Sequence, residues 1–394
     1  MNGVHGESNW PRWRGSAADG HSQEMGLPHE WNKDSVLWKT PLKGRGHSSP
    51  TIWGDRIFLT SALDQGKQRM VMCVGRTDGA ILWQNIAWTG EPERSHGMNG
   101  WSSATCATDG QRVYAFFGRG GGLFCYTVDG ELVWSRSLGW FEGPWGTAAS
   151  PLLVGDVVIQ NCDSDQDAYI IALDKKTGDE VWKTKRPVHR GWSSPILIKL
   201  DGRDQIVVNG HTGLIAYDPE SGKELWNCRC ESGRGTPTVT PAGGLLYAVN
   251  GLSGGGAYCV RPGGTGDVTE SRRLWIARRG GRDLPSPIVV GDTMLVAGLR
   301  GGILTAYNTG DGSELWTNRL GGQVSASPVS YDGLAFFITE SGDTVVVDPK
   351  SDEKIVTTNT VGATDGELFR ASITPCDGQL FLRSDQCLYC IGKP

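Results

Sequence analysis

The sequence predicts an all-β protein, an eight-bladed β-propeller of four-stranded antiparallel blades in which the N-terminal strand completes the last blade. Three observations carry this. A phrase ending in tryptophan recurs along the whole chain, a phrase of small residues recurs beside it, and the two series are out of phase at the chain ends. The tryptophan series runs through Trp38, Trp83, Trp134, Trp182, Trp226, Trp275 and Trp316, at spacings of 45, 51, 48, 44, 49 and 41. An eighth copy, "SDEKIV", places Val356 in the tryptophan slot 40 residues later. Self-similarity at such a period marks a propeller or solenoid.

Within one period four short apolar runs are separated by Gly, Asp and Asn turns. In the third they are "ASPLLV", "VVIQNC", "YIIALD" and "EVWKTK". These are strand and hairpin signals, and no helical stripe accompanies them. The opening strands begin with the small phrases at Ser48, Ser102, Ala149, Ser193, Gly235, Pro285, Ala326 and Ser372, small enough for a crowded axis. A tryptophan-bearing strand around Val36 to Leu42 precedes the first of them, and three strands after Glu367 lack a fourth. The ring therefore closes on itself, which removes exposed sheet edges between first and last blades. The expected organisation is a lead-in over 1–30 and one propeller over 31–394. Its blades fall near 47–86, 99–138, 146–186, 191–230, 234–278, 282–320, 323–360 and 367–392 with 34–42.

In "ALDKKTGDEVW", Ala172 to Trp182, the Asp-to-Gly segment makes the turn between third and fourth strands, with Gly178 at positive φ. The tryptophan is expected to dock between blades, bringing roughly 150–250 Å² to bury and an indole N–H to donate to the neighbouring backbone.

Composition narrows the function. Net charge is −5 with no basic run, so nothing points to a nucleic-acid partner. No apolar stretch reaches the length of a membrane-spanning helix. The start "MNGVHGESNWPRWRG" has no leader-like apolar core, which implies a cytoplasmic protein if the chain is complete as written and an exported one if a leader has been removed. Of the ten cysteines, Cys387 and Cys390 sit three apart in a strand and point to opposite faces. Cys228 and Cys230 share a face but lack a second pair. Free thiols are expected.

In a four-stranded blade, the blade-to-blade loops and the loops joining second to third strands share one face around the channel mouth. The residues collected there are Arg45, His47, His96, Asn99, Trp101, Glu142, Trp145, His189, Arg190, Trp192, Arg234, Arg282, Asp283, Gln323, Glu367 and Arg370. Aromatics beside arginine suit a planar or sugar-like ligand bearing carboxylate or sulfate. Some of these residues also fit blade packing or a solvated face. Acid–base catalysis by His47, His96 or His189 with Glu142 or Asp283 is a further option that no spacing singles out.

"NCDSDQDAY" adds Asp163, Asp165 and Asp167 as weak metal candidates. Alternate aspartates resemble a calcium loop, but Ala168 stands where glycine belongs and Asp174 where glutamate belongs. "GLSGG" at Gly251 lacks the strand–turn–helix setting of a nucleophile elbow, and "GRGGGL" at Gly118 lacks that of a dinucleotide loop.

The phrase A-x-D-x-x-T-G-x-x-x-W, met by Ala172, Asp174, Thr177, Gly178 and Trp182, resembles the docking motif of the pyrroloquinoline-quinone-like repeat propellers. "AYDPESGKELW" and "AYNTGDGSELW" are near copies, and "NWPRWRGSAADG" is similar to the lead-in of bacterial members without assigned activity. The resemblance spans residues 31 to 392. It implies either a quinone- and calcium-dependent dehydrogenase or a scaffold like the outer-membrane assembly lipoprotein, which binds proteins and no quinone. The dehydrogenases commonly carry an adjacent Cys-Cys pair, and haem-linked ones a C-x-x-C-H. This chain has neither, since Ile391 follows its C-x-x-C. The expectation is therefore a monomeric, non-catalytic binding or scaffold propeller with no cofactor. Its partner is a protein or an acidic, sugar-like ligand. An enzyme acting on acidic carbohydrate is the first alternative, and pyrroloquinoline quinone with calcium the second.

Overall fold

A computed structural model of the chain describes residues 9–141, 143–230, 233–252, 255–278 and 284–393. Eight antiparallel sheets follow one another along it and form the blades of a propeller. Numbered one to eight, their innermost strands are Thr51–Trp53, Ala107–Thr108, Leu152–Val154, Ile196–Leu200, Thr240–Ala242, Ile288–Val290, Val329–Tyr331 and Thr374–Cys376. The N-terminal strand Val36–Pro41 pairs antiparallel with Cys387–Ile391, Trp38 opposite Cys390, and is the outer strand of blade eight. The ring is closed as the out-of-phase repeats require.

The docking turns show why the motif needs both its glycine and its tryptophan. The indole N–H of Trp38, Trp83, Trp134, Trp182 and Trp275 donates across the blade boundary to the carbonyl of Arg76, Val128, Lys175, Pro219 and Thr309, at 2.9–3.1 Å. The turn glycine of the next blade lies flat under that ring. A Cβ at Gly79, Gly130, Gly178, Gly222 or Gly312 would sit 2.4–2.8 Å from the nearest atom it meets, a tryptophan ring atom everywhere but at Gly79, and each φ lies between +69° and +94°. Glycine is thus required twice, for φ and for the approach of the ring.

Two tryptophans depart from the pattern. In blade five a 12-residue excursion between Ala257–Val260 and Arg273–Ala277 replaces the docking turn, and its Gly266–Asp267 pairs in parallel with the outer strand of blade four. Trp226 is consequently buried under its own blade's new edge, donating to Gln205 Oε1. Trp316 is half-buried with the Lys354 ammonium 5.7 Å from its ring, because the facing turn "DPKSDEK" has no glycine to receive it.

Every outer strand carries a β-bulge at the residue before the tryptophan slot, which is skipped in pairing: Ala172 faces Trp182 and Leu173 faces Glu180. The skipped residues Leu37, Leu82, Val133, Val181, Leu274 and Leu315 are accordingly exposed. This corrects the eighth copy. Val346 faces Thr357 and Val347 faces Ile355, so Val356 is the bulge and Thr357 occupies the tryptophan slot. There Trp31, just after the lead-in, supplies the aromatic: it stacks on Phe336 at 6.3 Å and joins the core shared by blades seven, eight and one, its backbone N–H bonded to Asn359.

The small phrases do more than fit a narrow axis. Around the ring, the backbone N–H of one blade's opening residue donates to the hydroxyl of a partner blade. Ser49 gives to Thr105, Thr105 to Ser150, Ser150 to Ser194, Ser194 to Thr238, Thr238 to Ser286, Ser286 to Ser327, and Ser372 to Ser49, all at 2.9–3.0 Å. The repeating unit is a buried Ser or Thr. It falls at Thr105 and Thr238 in blades two and five, past the phrases beginning at Ser102 and Gly235.

The lead-in caps the end of the channel away from the mouth. Trp10 makes a bridge with Ile52 of blade one, Thr108 N donates to Pro11 O, Arg14 reaches Pro287 O of blade six at 2.8 Å, and His21 bridges Ser330 of blade seven. The segment passes the first-to-second-strand turns, where Gly54 N donates to Asn9 and Gly378 N to Glu24. Those turns lie on the face opposite the blade-to-blade loops.

Glu367, grouped with the mouth by sequence, is instead a buried structural carboxylate that accepts from Lys39, Thr364, Ser384 and Tyr389. Burial raises its carboxyl, and hydrogen bonds from Ser384, Lys39, Thr364 and Tyr389 more than offset this, bringing it to about 2 from 4.5. A carboxylate lowered on folding stabilises above its unfolded value, and that contribution is lost as pH falls toward 2. Urea midpoints measured from pH 6 to pH 3 are expected to drop below about pH 4.5. Glu367→Gln should flatten that drop; an unchanged profile would refute the role.

Candidate functional site

The mouth residues do not form one ring. They fall into two adjoining groups, linked by the bond from Asn99 to Trp145 O, and Glu142, Arg282 and Asp283 lie outside the described residues.

The first group surrounds a cavity of about 660 Å³ between blades eight, one and two, lined by Arg45, His47, His96, Asn99, Trp101 and Arg370 together with Asp64, Gln65 and Asp385. Arg370 grips Glu340 with two nitrogens (3.0 and 3.2 Å) and donates to the carbonyls of Gly97 and Met98, so it orders the rim. Asn99 ties the loop before blade two to the loop before blade three through Trp145 O (2.6 Å) and Thr147 O. Trp101 donates to Glu93 O, and its ring lies on Gly66, where a Cβ would come within 2.4 Å. Behind it Arg69 and Glu93 form a buried pair at 2.6 Å. Burial, Arg370, Arg383 and Arg45, in that order of weight, push the His47 imidazole down to about 3, so it is neutral at physiological pH.

The second group sits over blades three to five. The guanidinium groups of Arg190 and Arg234 each lie 4.9 Å from the Trp145 ring centroid, and Trp192 lies 5.7 Å from it, donating to Gly146 O. His189 stacks on His211 at 3.7 Å, and each Nδ1 faces a backbone carbonyl, of Arg190 and of Gly233. Sequence reasoning missed His211, which lies on a second-to-third-strand loop.

The aspartate run does not converge. Asp163 is buried in a two-point pair with Arg186 (2.7 and 3.2 Å), Asp165 meets Arg190 at 3.1 Å, and Asp167 lies 3.9 Å from Lys183. Three carboxylates serve three different cations, because consecutive loop residues radiate from a turn. Among the described residues no three His, Cys, Asp or Glu side chains gather as a metal site, and none of the ten cysteines is in a disulfide. With no adjacent cysteine pair and Asp163, Asp165 and Asp167 each turned to a different cation, the residues singled out for it do not fit the quinone–calcium group of the dehydrogenases. The His–carboxylate ion pair found among the described residues is His29–Asp332, at 2.9 Å on the far face.

Sequence reasoning also missed Trp140 and Val188, on the loops entering blades three and four, which are 65% and 60% exposed. Trp140 carried a signal: it is a tryptophan outside the docking series.

A family described as "Outer membrane protein assembly factor BamB" matches residues 24–138, 67–199 and 166–392. The chain belongs to this family. A relative carrying that name in Burkholderia pseudomallei (strain K96243) is 23% identical over 330 residues, 78% of this chain and 77% of its own. A second, from Moranella endobia (strain PCIT), is 30% identical over 177 residues, 45% of this chain and 40% of its own. The crystal structure of BamB from Moraxella catarrhalis superposes with a TM-score of 0.66 at 19% identity, over 91% of this chain and 97% of that one. A europium-containing methanol dehydrogenase does so at 0.73 and 13%, over 98% of both chains. At these identities the superpositions speak for the fold, which scaffold and dehydrogenase share. No helix among the described residues is long and apolar enough to cross a membrane.

Proposed function

We propose that the chain is a monomeric, non-catalytic binding propeller that docks a protein partner on its mouth face, outside the cytoplasm, in the assembly of outer-membrane proteins. Membership of the assembly-factor family supports the class, and the name borne by its relatives supports the process. The observation that carries the docking face is Trp140, 65% exposed on the loop entering blade three. A large exposed aromatic on a loop is a common interface feature, since aromatic residues are enriched there.

The test is co-purification from detergent-solubilised envelopes with tagged wild type, Trp140→Ala and Val188→Asp. Wild type is expected to retain an outer-membrane assembly component. Trp140→Ala should weaken retention at least about tenfold at an unchanged melting temperature, as truncation of an interface centre does. Equal retention by the variant would overturn the assignment of the face.

A further inference from the structure

The cavity between blades eight, one and two lies apart from Trp140 and Val188, and neither residue lines it. We propose that this cavity binds a carboxylated sugar, with the carboxylate beside His47 and Arg45 and the sugar ring against Trp101. The inference goes beyond the docking role and does not depend on it.

Size comes first. At about 660 Å³ the cavity falls in the range of small-molecule sites and is far larger than a lone inorganic anion needs. Its lining comes from blade-to-blade and second-to-third-strand loops, so a ligand enters from the mouth face.

An unmet hydrogen bond and an unbalanced charge follow. The Nδ1 of His47 is buried and makes no hydrogen bond among the described residues, an arrangement that calls for a partner from a ligand or water. Behind it Arg383 is fully buried, donates to the carbonyls of Ser48 (2.8 Å) and Thr60 (2.7 Å), touches no carboxylate, and leaves its Nε without a partner. Arg45 stands at the opening, 74% exposed, in a loose 3.5 Å pair with Asp385 that a ligand carboxylate can displace. Of the three arginines near His47, Arg370 is already paired with Glu340 and Arg45 only loosely with Asp385, so Arg383 is the guanidinium with no direct carboxylate contact among the described residues. A carboxylate placed there completes His47 and balances the buried guanidinium.

The rest of the wall suits a hydroxylated ring. Trp101 is locked by its bond to Glu93 O and by Gly66 beneath it, leaving an aromatic surface of fixed orientation. Asp64 and Gln65, both on the wall, offer acceptors for hydroxyl groups. A flat hydrophobic anion would leave these polar groups unpaired.

The test is calorimetric titration of the full chain with digalacturonic acid and with its neutral counterpart galactobiose, at low salt. The acid is expected to bind at least about tenfold more tightly, a difference that one charge-assisted contact supplies. Arg45→Ala, an exposed position whose loss spares the fold, should abolish the preference without moving the melting temperature. Trp101→Ala should weaken both sugars. Equal binding of the two sugars, or no binding of the acid at about 20 mM, overturns the proposal. Full competition by acetate at matched concentration overturns the sugar part and leaves a bare anion site. None of these outcomes affects retention of a partner through Trp140, so the two assignments fail separately.

Discussion

Trp182→Ala is expected to lower stability by about 3–5 kcal/mol, read as a fall in the urea midpoint at unchanged slope. The indole is 7% exposed and sits in a cluster with Leu152, Ile159 and Ile170 of its own blade and Ile206, Val208 and Ile215 of the next. It also donates to Pro219 O at 2.9 Å and rests on Gly222. Truncation therefore opens a cavity at a blade boundary and leaves the half-buried Pro219 carbonyl without its donor. The same change at Trp316, half-buried with no glycine beneath it, should cost under about 2 kcal/mol. Equal midpoints for wild type and Trp182→Ala would refute blade docking as the source of the repeat.

Asp163→Ala is expected to cost about 3–5 kcal/mol as well, by another route. Arg186 is buried, and besides Asp163 it has the Tyr217 hydroxyl, at 2.8 Å. Removing the carboxylate strands a guanidinium where water does not reach. The double replacement Asp163→Leu with Arg186→Met should recover much of the loss, since it removes both charges together. A single variant within about 1 kcal/mol of wild type would sink the assignment. Calcium or chelator should leave the melting temperature of wild type unchanged, because Asp163 is committed to arginine.

Much of the architecture was legible because its signals are local. The turn needs a glycine at positive φ, the outer strand needs a tryptophan, and both recur at the blade period whatever lies between them. Errors arose where a local signal was shifted by pairing. Val356 looked like the tryptophan slot, yet a bulge moves the slot to Thr357. The hydroxyl belt was read only as small residues, because nothing in "SATC" or "PTVT" marks Thr105 and Thr238 until neighbouring backbones come within hydrogen-bond reach.

The candidate site was legible as a set of residues and not as a geometry. Loop position placed Trp101 and Trp145 on one face, but only their partners separate a cavity wall from an arginine-flanked stack. Asp163 and Glu367 looked like mouth residues until Arg186 and Lys39 were seen to claim them.

The sequence by itself determined the blade count and strand order, which rest on residues within one period, and the way the ring closes, which rests on the phase of the repeats at the two chain ends. Tertiary structure alone decided that the lead-in caps the channel, that the mouth divides in two, and which carboxylates remain unclaimed. Those outcomes depend on contacts between blades, where partners lie 30 to 335 residues apart and ring curvature, not spacing along the chain, chooses which groups meet.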